Sequence, residues 1–217
     1  YIRMILSAFQ KDAIKGIEDG KNVFITAHTG SGKTLPAQYA IDFFTKKGKK
    51  VIYTSPIKAL SNQKYSDFVK QYTKLEVGIL TGDNKHNPSA DLLIMTTEIL
   101  YNKLMRKDTF SHLDFDIDIE NELGCVIFDE VHYINDEERG TIWEQSMMLL
   151  PNHIQMVMLS ATIGNVEYIS KWLKEIKGKD IIICGTKERV VPLEYYQYFT
   201  VPDKSIQQIK KKEERDI

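Results

Sequence analysis

A glycine-rich turn stands between a short apolar run and a helical pattern near the start of the chain, and few folds accommodate that order. The apolar run covers 23–27 and the helical pattern covers 35–44. Glycines let successive backbone N–H groups point into one concavity, and a helix start adds a positive dipole beside it. The sequence therefore predicts a phosphate-binding loop at a strand-to-helix junction. Its residues are Thr29, Gly30, Ser31, Gly32, Lys33 and Thr34.

Two side chains of this loop carry the expected chemistry. Lys33 would reach the β and γ phosphates of a nucleotide, and the Thr34 hydroxyl would be a ligand of Mg²⁺. Ala27 stands where the general pattern of such loops has its first glycine. A chance Gly-Ser-Gly turn is the alternative, but a Gly-Lys-Thr sequence directly before a helix disfavours it.

Apolar runs of strand length recur along the chain and alternate with amphipathic helical patterns. The runs are apolar on both faces, which is typical of parallel strands buried under helices. This alternation predicts an α/β fold with a doubly wound, mostly parallel sheet. The runs cover 23–27, 51–56, 77–82, 92–97, 125–130, 156–161 and 180–185, and the helical patterns cover 9–18, 35–44, 59–72, 98–105 and 165–172.

The composition limits the classes of protein to which the chain can belong. Of the 217 residues 42% are hydrophobic, enough for a sizeable core, and the net charge of -1 argues against a surface that binds nucleic acid everywhere. Any contact with nucleic acid must therefore be local.

The cysteines and the apolar runs narrow the choice further. Cys125 and Cys184 lack the paired spacing of zinc sites, and we expect two buried, reduced thiols. No run has the length of a membrane span and no secretion signal is recognisable, so we expect a soluble cytoplasmic or nuclear protein.

A second candidate site lies at the end of the apolar run 125–130, which finishes with Asp129 and Glu130. A carboxylate at a strand end can hold the hydration shell of Mg²⁺, and we expect this of Asp129. The adjacent Glu130 can orient and deprotonate an attacking water. A solvated turn is the alternative reading of two neighbouring carboxylates, but the phosphate-binding loop elsewhere in the chain favours a shared catalytic site.

The motifs around these two sites, taken together, resemble a known family. DEVH at 129–132 and Ser160-Ala161-Thr162 are similar to the second and third motifs in the first RecA-like domain of superfamily-two helicases. Longer segments are similar to the superkiller-type, exosome-associated DEVH-box RNA helicases, from about Phe9 to about Tyr196. These segments are TSPIKALSNQKYSDF at 54–68, TGD at 81–83, NPSADLLIMTTEIL at 87–100, FDEVHYINDEERGTIWEQ at 128–145 and LSATIGN at 159–165.

The resemblance implies an enzyme that uses ATP and Mg²⁺, and it assigns further residues to the nucleotide. Gln10 would read the adenine edge with Phe9 near the ring, although an ordinary glutamine at a helix start is the alternative. His132 would take part in catalysis by linking the phosphate site to the nucleic acid, together with the Ser160–Thr162 motif. An interior histidine with a structural role is the alternative for His132.

The resemblance also implies a path for one strand of RNA along the domain. Backbone N–H groups at helix starts and threonine hydroxyls would hold phosphates without reading bases. Arg139 and Trp143 match the family as well, and we expect Trp143 to pack in the core. The expected RNA contacts are Pro56, Lys58, Gly82, Asp83, Thr96, Thr97 and Glu98.

The activity that the resemblance implies is ATP-driven 3′-to-5′ unwinding in RNA processing or decay, with an RNA-decay complex as a candidate partner. One alternative is a DNA helicase or translocase of the related repair branch. Another is a nucleotide-binding scaffold module that does not unwind. The presence of both Lys33 and Glu130 disfavours the scaffold, because a module without turnover has no need of a catalytic base.

The RecA-like domain is expected to cover 1–199, and the charged segment 200–217 would be a linker or the start of a further region. In this family a second RecA-like domain supplies paired arginines to the ATP site. After the SAT motif the sequence offers Arg189 and Arg215, and neither lies in that pattern. We therefore expect the second domain elsewhere in the parent chain, and inefficient turnover by these 217 residues alone.

Two features depart from the family pattern. Gly164 stands where proline is frequent, and the connection at 107–124 is longer and more acidic than usual. The spacing of its acidic residues does not match a calcium loop, because Ile119 and Cys125 occupy positions that need glycine and glutamate. We expect an exposed acidic strand or loop there.

Overall fold

The computed structural model describes residues 6–105, 117–161, 164, 166–186, 194 and 196. Within them the chain forms one eight-stranded sheet that is covered by helices on both faces. The strands are β1 Asn22–Ala27, β2 Lys50–Ser55, β3 Val77–Leu80, β4 Lys85–His86, β5 Leu92–Thr96, β6 Leu123–Phe128, β7 Gln155–Ser160 and β8 Ile181–Thr186. The helices are α1 Ala8–Glu18, α2 Thr34–Thr45, α3 Lys58–Gln71, α4 Thr97–Met105, α5 Gly140–Leu149 and α6 Val166–Lys177, and a 3-10 helix covers Val131–Asn135.

The strand order across the sheet is β4-β3-β5-β2-β6-β7-β1-β8. Neighbouring strands are parallel except β3 and β4, which form an antiparallel pair. The chain passes from β1 to β2, three positions away, and β6 and β7 later fill the gap. The carboxyl ends of the parallel strands therefore meet at one edge, where ligands bind in open α/β sheets. The predicted doubly wound α/β fold is confirmed.

Some elements differ from those expected. β6 begins at Leu123, and α6 continues to Lys177 because Leu173 extends its apolar face into the core. Three elements were not predicted, the two-residue strand β4, the 3-10 helix Val131–Asn135 and helix α5. Helix α5 starts at Gly140, where a Cβ would lie only 2.3 Å from the carbonyl oxygen of Ile134, so no larger residue fits without a shift.

Each face of the sheet carries its own hydrophobic core. One core lies between the sheet and helices α4, α5 and α6, and the other lies between the sheet and helices α1, α2 and α3. Strand β6 contributes Val126 to the first core and Ile127 to the second, as the alternation of a strand requires. Trp143 is buried in the first core with its ring 6.0 Å from that of Phe128, in agreement with its predicted role.

Three further predictions concern the two cysteines, the acidic connection at 107–124 and the membrane spans. Cys125 and Cys184 are buried and unpaired, and burial raises the pKa of both thiols. Residues 117–122 include a turn in which Asp118 accepts hydrogen bonds from the backbone of Glu120 and Asn121, while 107–116 lie outside the described residues. No helix in the described part of the chain is long and apolar enough to cross a membrane.

Candidate active site

The loop between β1 and α2 has the backbone of a phosphate cradle. Gly30 and Gly32 have φ angles of 84° and 83°, in the left-handed region that glycine adopts without strain. Helix α2 begins directly afterwards at Thr34 and directs the N–H groups of its first turn towards the loop. The Ser31 Oγ atom is buried and has no hydrogen-bond partner among the described residues. An unpaired donor beside a helix start fits a phosphate group, which would accept its hydrogen bond.

The base candidate Glu130 contacts two other predicted site residues. Its Oε2 atom lies 3.3 Å from Lys33 Nζ and 3.3 Å from His132 Nδ1. Lys33 is buried, whereas the Glu130 side chain keeps 27% of its surface exposed and so remains accessible to water. The backbone of Glu130 is left-handed, with φ at 60°, an uncommon conformation outside glycine that turns the chain sharply after β6.

Asp129 is buried, and donors from three segments surround its carboxylate. The Glu130 N–H donates to Oδ1 at 3.0 Å, and the Tyr53 hydroxyl donates to Oδ2 at 2.5 Å. Lys64 Nζ lies 3.6 Å from the same Oδ2. Burial, reinforced by the negative charge of Asp129, raises the pKa of Tyr53 well above its usual range, so the hydroxyl keeps its proton and donates. Neither Tyr53 nor Lys64 was predicted from the sequence to contact this carboxylate.

Gln10 reaches the phosphate cradle from helix α1. Its Nε2 donates to the Gly32 carbonyl at 3.1 Å, and its Oε1 accepts the Ser7 N–H at 2.9 Å, so both ends of the amide have partners. The second contact matches the alternative of a helix-start glutamine, whereas the first connects α1 to the cradle. Phe9 is buried and belongs to the core between the sheet and helices α1 to α3.

The third motif lies beside the cradle on the neighbouring strand. Ser160 ends β7 and is fully buried, and its Oγ has no hydrogen-bond partner within the described residues. The Ala161 carbonyl accepts a hydrogen bond from Thr26 Oγ1 at 3.3 Å, which connects the motif to the strand that leads into the phosphate cradle. Thr162 lies outside the described residues.

The candidate RNA contacts fall at the carboxyl ends of β2, β3 and β5 and divide into two groups by exposure. Lys58, Gly82, Asp83 and Glu98 are exposed, whereas Pro56, Thr96 and Thr97 are buried. Lys58 Nζ lies 2.9 and 3.0 Å from the two carboxylate oxygens of Asp83, so these two candidates pair with each other.

The buried candidates act as supports for this edge of the sheet. Thr97 Oγ1 contacts the Ser55 carbonyl at 3.5 Å instead of facing solvent. The Pro56 carbonyl accepts a hydrogen bond from Arg139 Nη1 at 3.4 Å. Arg139 follows the DEVH motif, so this contact joins the segment after that motif to the loop between β2 and α3. Because α4 begins at Thr97 and the Thr97 hydroxyl already contacts Ser55, a phosphate near Thr97 would bind to the N–H groups at the start of α4.

Comparison with known proteins identifies the family of the chain. Residues 7–169 match the model of the DEAD/DEAH box helicase family. The chain is 45% identical over 189 residues to the antiviral helicase SKI2 of Saccharomyces cerevisiae, covering 87% of this chain and 14% of SKI2. It is 41% identical over 192 residues to the human exosome RNA helicase MTR4, covering 88% of this chain and 17% of MTR4. The chain thus spans less than a fifth of the length of these relatives.

Solved structures give the same result for the fold. The helicase Lhr of Mycobacterium smegmatis, bound to ssDNA and AMP-PNP, superposes with a TM-score of 0.66 at 28% identity, covering 84% of this chain and 26% of Lhr. The DUF1998 helicase MrfA bound to DNA has a TM-score of 0.67 at 17% identity, which supports the fold alone, and covers 83% of this chain and 27% of MrfA. The predicted similarity to superkiller-type helicases is confirmed, and the chain belongs to the DEAD/DEAH box helicase family.

Proposed function

We propose that this chain is the first ATP-binding domain of an ATP-dependent RNA helicase. The proposal rests on one observation: Lys33 Nζ lies 3.3 Å from Glu130 Oε2, and the carboxylate of the adjacent Asp129 is buried. These residues come from two distant segments, and the parallel sheet brings them to one edge. A phosphate-binding cation, a metal-binding carboxylate and a catalytic base are the groups that hydrolysis of a nucleoside triphosphate requires.

Each of these side chains has a separate task in the proposed reaction. Lys33 binds the β and γ phosphates and leaves its contact with Glu130 when nucleotide enters. Glu130 is then free to orient a water and accept its proton. Thr34 and Asp129 would hold Mg²⁺, which neutralises phosphate charge when it is bound. His132 and the Ser160–Thr162 motif connect this site to the nucleic-acid edge.

RNA is the proposed polymer because several relatives are described as RNA helicases. MTR4 is an exosome RNA helicase, and an Arabidopsis thaliana relative that is 46% identical over 195 residues is an ATP-dependent RNA helicase. We propose 3′-to-5′ unwinding in RNA processing or decay, in the cytoplasm or nucleus, with a second RecA-like domain in the parent chain and an RNA-decay complex as partner. The RecA-like domain would cover 1–199, and 200–217 would form a linker.

A DNA translocase is the second candidate, because Lhr was solved with ssDNA and is 28% identical to this chain. The two candidates make different predictions for the polymer that accelerates ATP hydrolysis. The test compares hydrolysis by the complete parent protein with single-stranded RNA and with DNA of the same sequence. Greater stimulation by RNA supports the RNA helicase, whereas stimulation by DNA alone would replace it with the translocase.

Replacing Lys33 with alanine should abolish ATP binding at concentrations that just saturate the wild-type protein. Its ammonium is the cation that contacts the phosphates, and hydrogen bonds to charged groups of this kind contribute enough for an increase in Kd of about 100-fold. Calorimetry with ATP and Mg²⁺ measures the loss. Lys171→Ala removes an exposed lysine from helix α6 and serves as the control, which should bind like the wild type. Near-normal affinity of Lys33→Ala would contradict the proposed phosphate site.

RNA binding should be weak, tolerant of sequence and strongly dependent on salt, because the contacts are to phosphates. Lys58→Ala should weaken binding equally for all sequences and lower the salt slope of log K by about 0.7, the value for one phosphate contact on a single strand. Fluorescence anisotropy between low and high salt measures both quantities in the complete protein. Lys70→Ala, an exposed change on the same helix, is the control. Selective tight binding to one base sequence would argue against phosphate contacts.

A further inference from the structure

Donors approach both oxygens of the Asp129 carboxylate, and they are distributed unequally between them. An ionised carboxylate offers about four acceptor positions on its two oxygens. The Tyr53 hydroxyl and the Lys64 ammonium both approach Oδ2, whereas Oδ1 receives the single N–H of Glu130. The donors therefore cover Oδ2 and leave an acceptor position on Oδ1. A rotation that turns the carboxylate out of its present plane would lose these contacts.

Tyr53 is held rigidly enough to fix this orientation. It is fully buried on β2, where it pairs in register with Ile127 of β6, and its ring packs edge-on against Phe68 of α3. The Asp129 N–H also donates to the Thr54 carbonyl at 2.9 Å, so the backbone before the carboxylate is tied to the same strand. A hydroxyl on such a support has little freedom, and its hydrogen bond to a charged acceptor is one of the stronger kinds in proteins.

Lys64 brings the second contact from a different element. It lies on helix α3, with 23% of its side chain exposed, and α3 begins at Lys58 beside the candidate RNA path. The helix therefore connects an exposed cation at the nucleic-acid edge to a cation at the metal-binding carboxylate. An ion pair to a buried carboxylate is screened less by solvent than one at the surface.

We propose that Tyr53 and Lys64 are positioning residues that hold Asp129 in the orientation in which it receives the hydration shell of Mg²⁺. The inference rests on the proposed function, because it takes Asp129 as the metal-binding carboxylate. Neither residue touches the nucleotide in this scheme. Their contribution should therefore be confined to the part of nucleotide affinity that depends on the metal.

The test measures the affinity of the complete protein for ADP by calorimetry, once with saturating Mg²⁺ and once with EDTA. Tyr53→Phe deletes the hydroxyl and keeps the ring, so the core around Phe68 should stay intact. We expect it to lower the gain in affinity that Mg²⁺ provides by about tenfold, the lower end for a hydrogen bond to a charged group, with no change in EDTA. Lys64→Met should lower the gain too, and Lys64→Arg should restore most of it because the positive charge remains.

Matched controls separate this effect from a general loss of structure. Tyr65→Phe removes a tyrosine hydroxyl from helix α3, on a ring that packs against His86, and Lys70→Met removes an exposed lysine from the helix that carries Lys64. Both should bind ADP like the wild type with and without Mg²⁺. Thermal unfolding of every variant shows whether the folded domain is retained.

The outcomes are distinct. A selective loss of the Mg²⁺-dependent gain in Tyr53→Phe and Lys64→Met supports the proposal. An unchanged gain overturns it, and so does an equal loss with Mg²⁺ and with EDTA, because that pattern describes a structural role only. A wild-type protein that binds ADP without any gain from Mg²⁺ would overturn the inference together with the proposed metal site, whereas a normal wild-type gain with unaffected variants would overturn the inference alone.

Discussion

The 217-residue chain on its own should bind ATP but hydrolyse it about 10³- to 10⁵-fold more slowly than the complete parent protein activated by RNA. The developing negative charge on the transferred phosphoryl group needs cations beyond the phosphate-loop lysine, and arginine fingers provide this stabilisation in related ATPases. Lys33 and the cradle remain available to the ground state, so binding should survive when turnover does not.

The arginines of the chain agree with this expectation. Arg139 is the one arginine among the described residues, and its guanidinium donates to the Pro56 carbonyl at the candidate nucleic-acid edge. Its hydrogen-bond partner is therefore a backbone carbonyl outside the residues of the candidate ATP site. Arg3, Arg106, Arg189 and Arg215 lie outside the described residues, and neither Arg189 nor Arg215 stands in the paired pattern of the family.

Steady-state hydrolysis, measured with and without single-stranded RNA, checks this prediction. The 217-residue chain and the complete parent protein are compared at the same ATP and Mg²⁺ concentrations. Equal ATP affinity of the two, measured by calorimetry, ensures that a slow rate does not come from an empty site. RNA-stimulated turnover of about one per second by the short chain would mean that the fingers lie within it, since that rate is typical of an activated site.

The general fold could be predicted because local signals agreed with one another. Runs such as 51–56 and 92–97 are apolar on both faces, and each of them is a parallel strand in the structure. The short strand β4 could not be predicted, because its two residues are exposed and carry no apolar pattern. Helix α5 could have been predicted, because the apolar residues Trp143 and Met147 lie four positions apart, as one helix face requires, and both are buried in the structure.

The candidate site could be predicted only in part. The phosphate cradle and the paired carboxylates can be recognised in the sequence, because their residue types are unusual at the end of a strand. Tyr53 carries no such signal, because a tyrosine within an apolar run is typical of any buried strand. Its contact with Asp129 depends on the pairing of β2 with β6, which brings Tyr53 opposite Ile127. Lys64 likewise has no distinguishing signal in the sequence, because its contact with the carboxylate depends on the packing of α3.

The Lys58–Asp83 pair illustrates a related limit. Sequence similarity implied that both residues contact RNA, and the structure shows that their charges neutralise each other at 2.9 Å. Bound RNA would compete with Asp83 for Lys58, so the local positive charge available to a phosphate is smaller than the residue types suggest. The pair is exposed, and such pairs contribute little to stability, so a phosphate could replace Asp83 at small cost.

Glu130→Gln should keep ATP and Mg²⁺ bound while slowing RNA-stimulated turnover of the complete protein by at least about 100-fold, the usual scale for removal of a general base. Glutamine has the same shape and retains a carbonyl oxygen, which can still accept a hydrogen bond from Lys33. Amide and carboxylate differ in basicity, so the substitution removes the group that accepts the proton of the attacking water. The left-handed backbone at this position, with φ at 60°, is equally accessible to both side chains.

Calorimetry for ATP binding and steady-state hydrolysis for turnover separate the two effects in the same preparation. Glu144→Gln is the matched control, because it makes the same chemical change at an exposed position of helix α5. The control should turn over like the wild type. A variant that loses ATP binding as well would point to a role for Glu130 in holding Lys33 rather than in proton transfer. Turnover at the wild-type rate would remove Glu130 from catalysis and leave the base to another group near the cradle, for which His132, 3.3 Å from the same carboxylate, would be the first candidate.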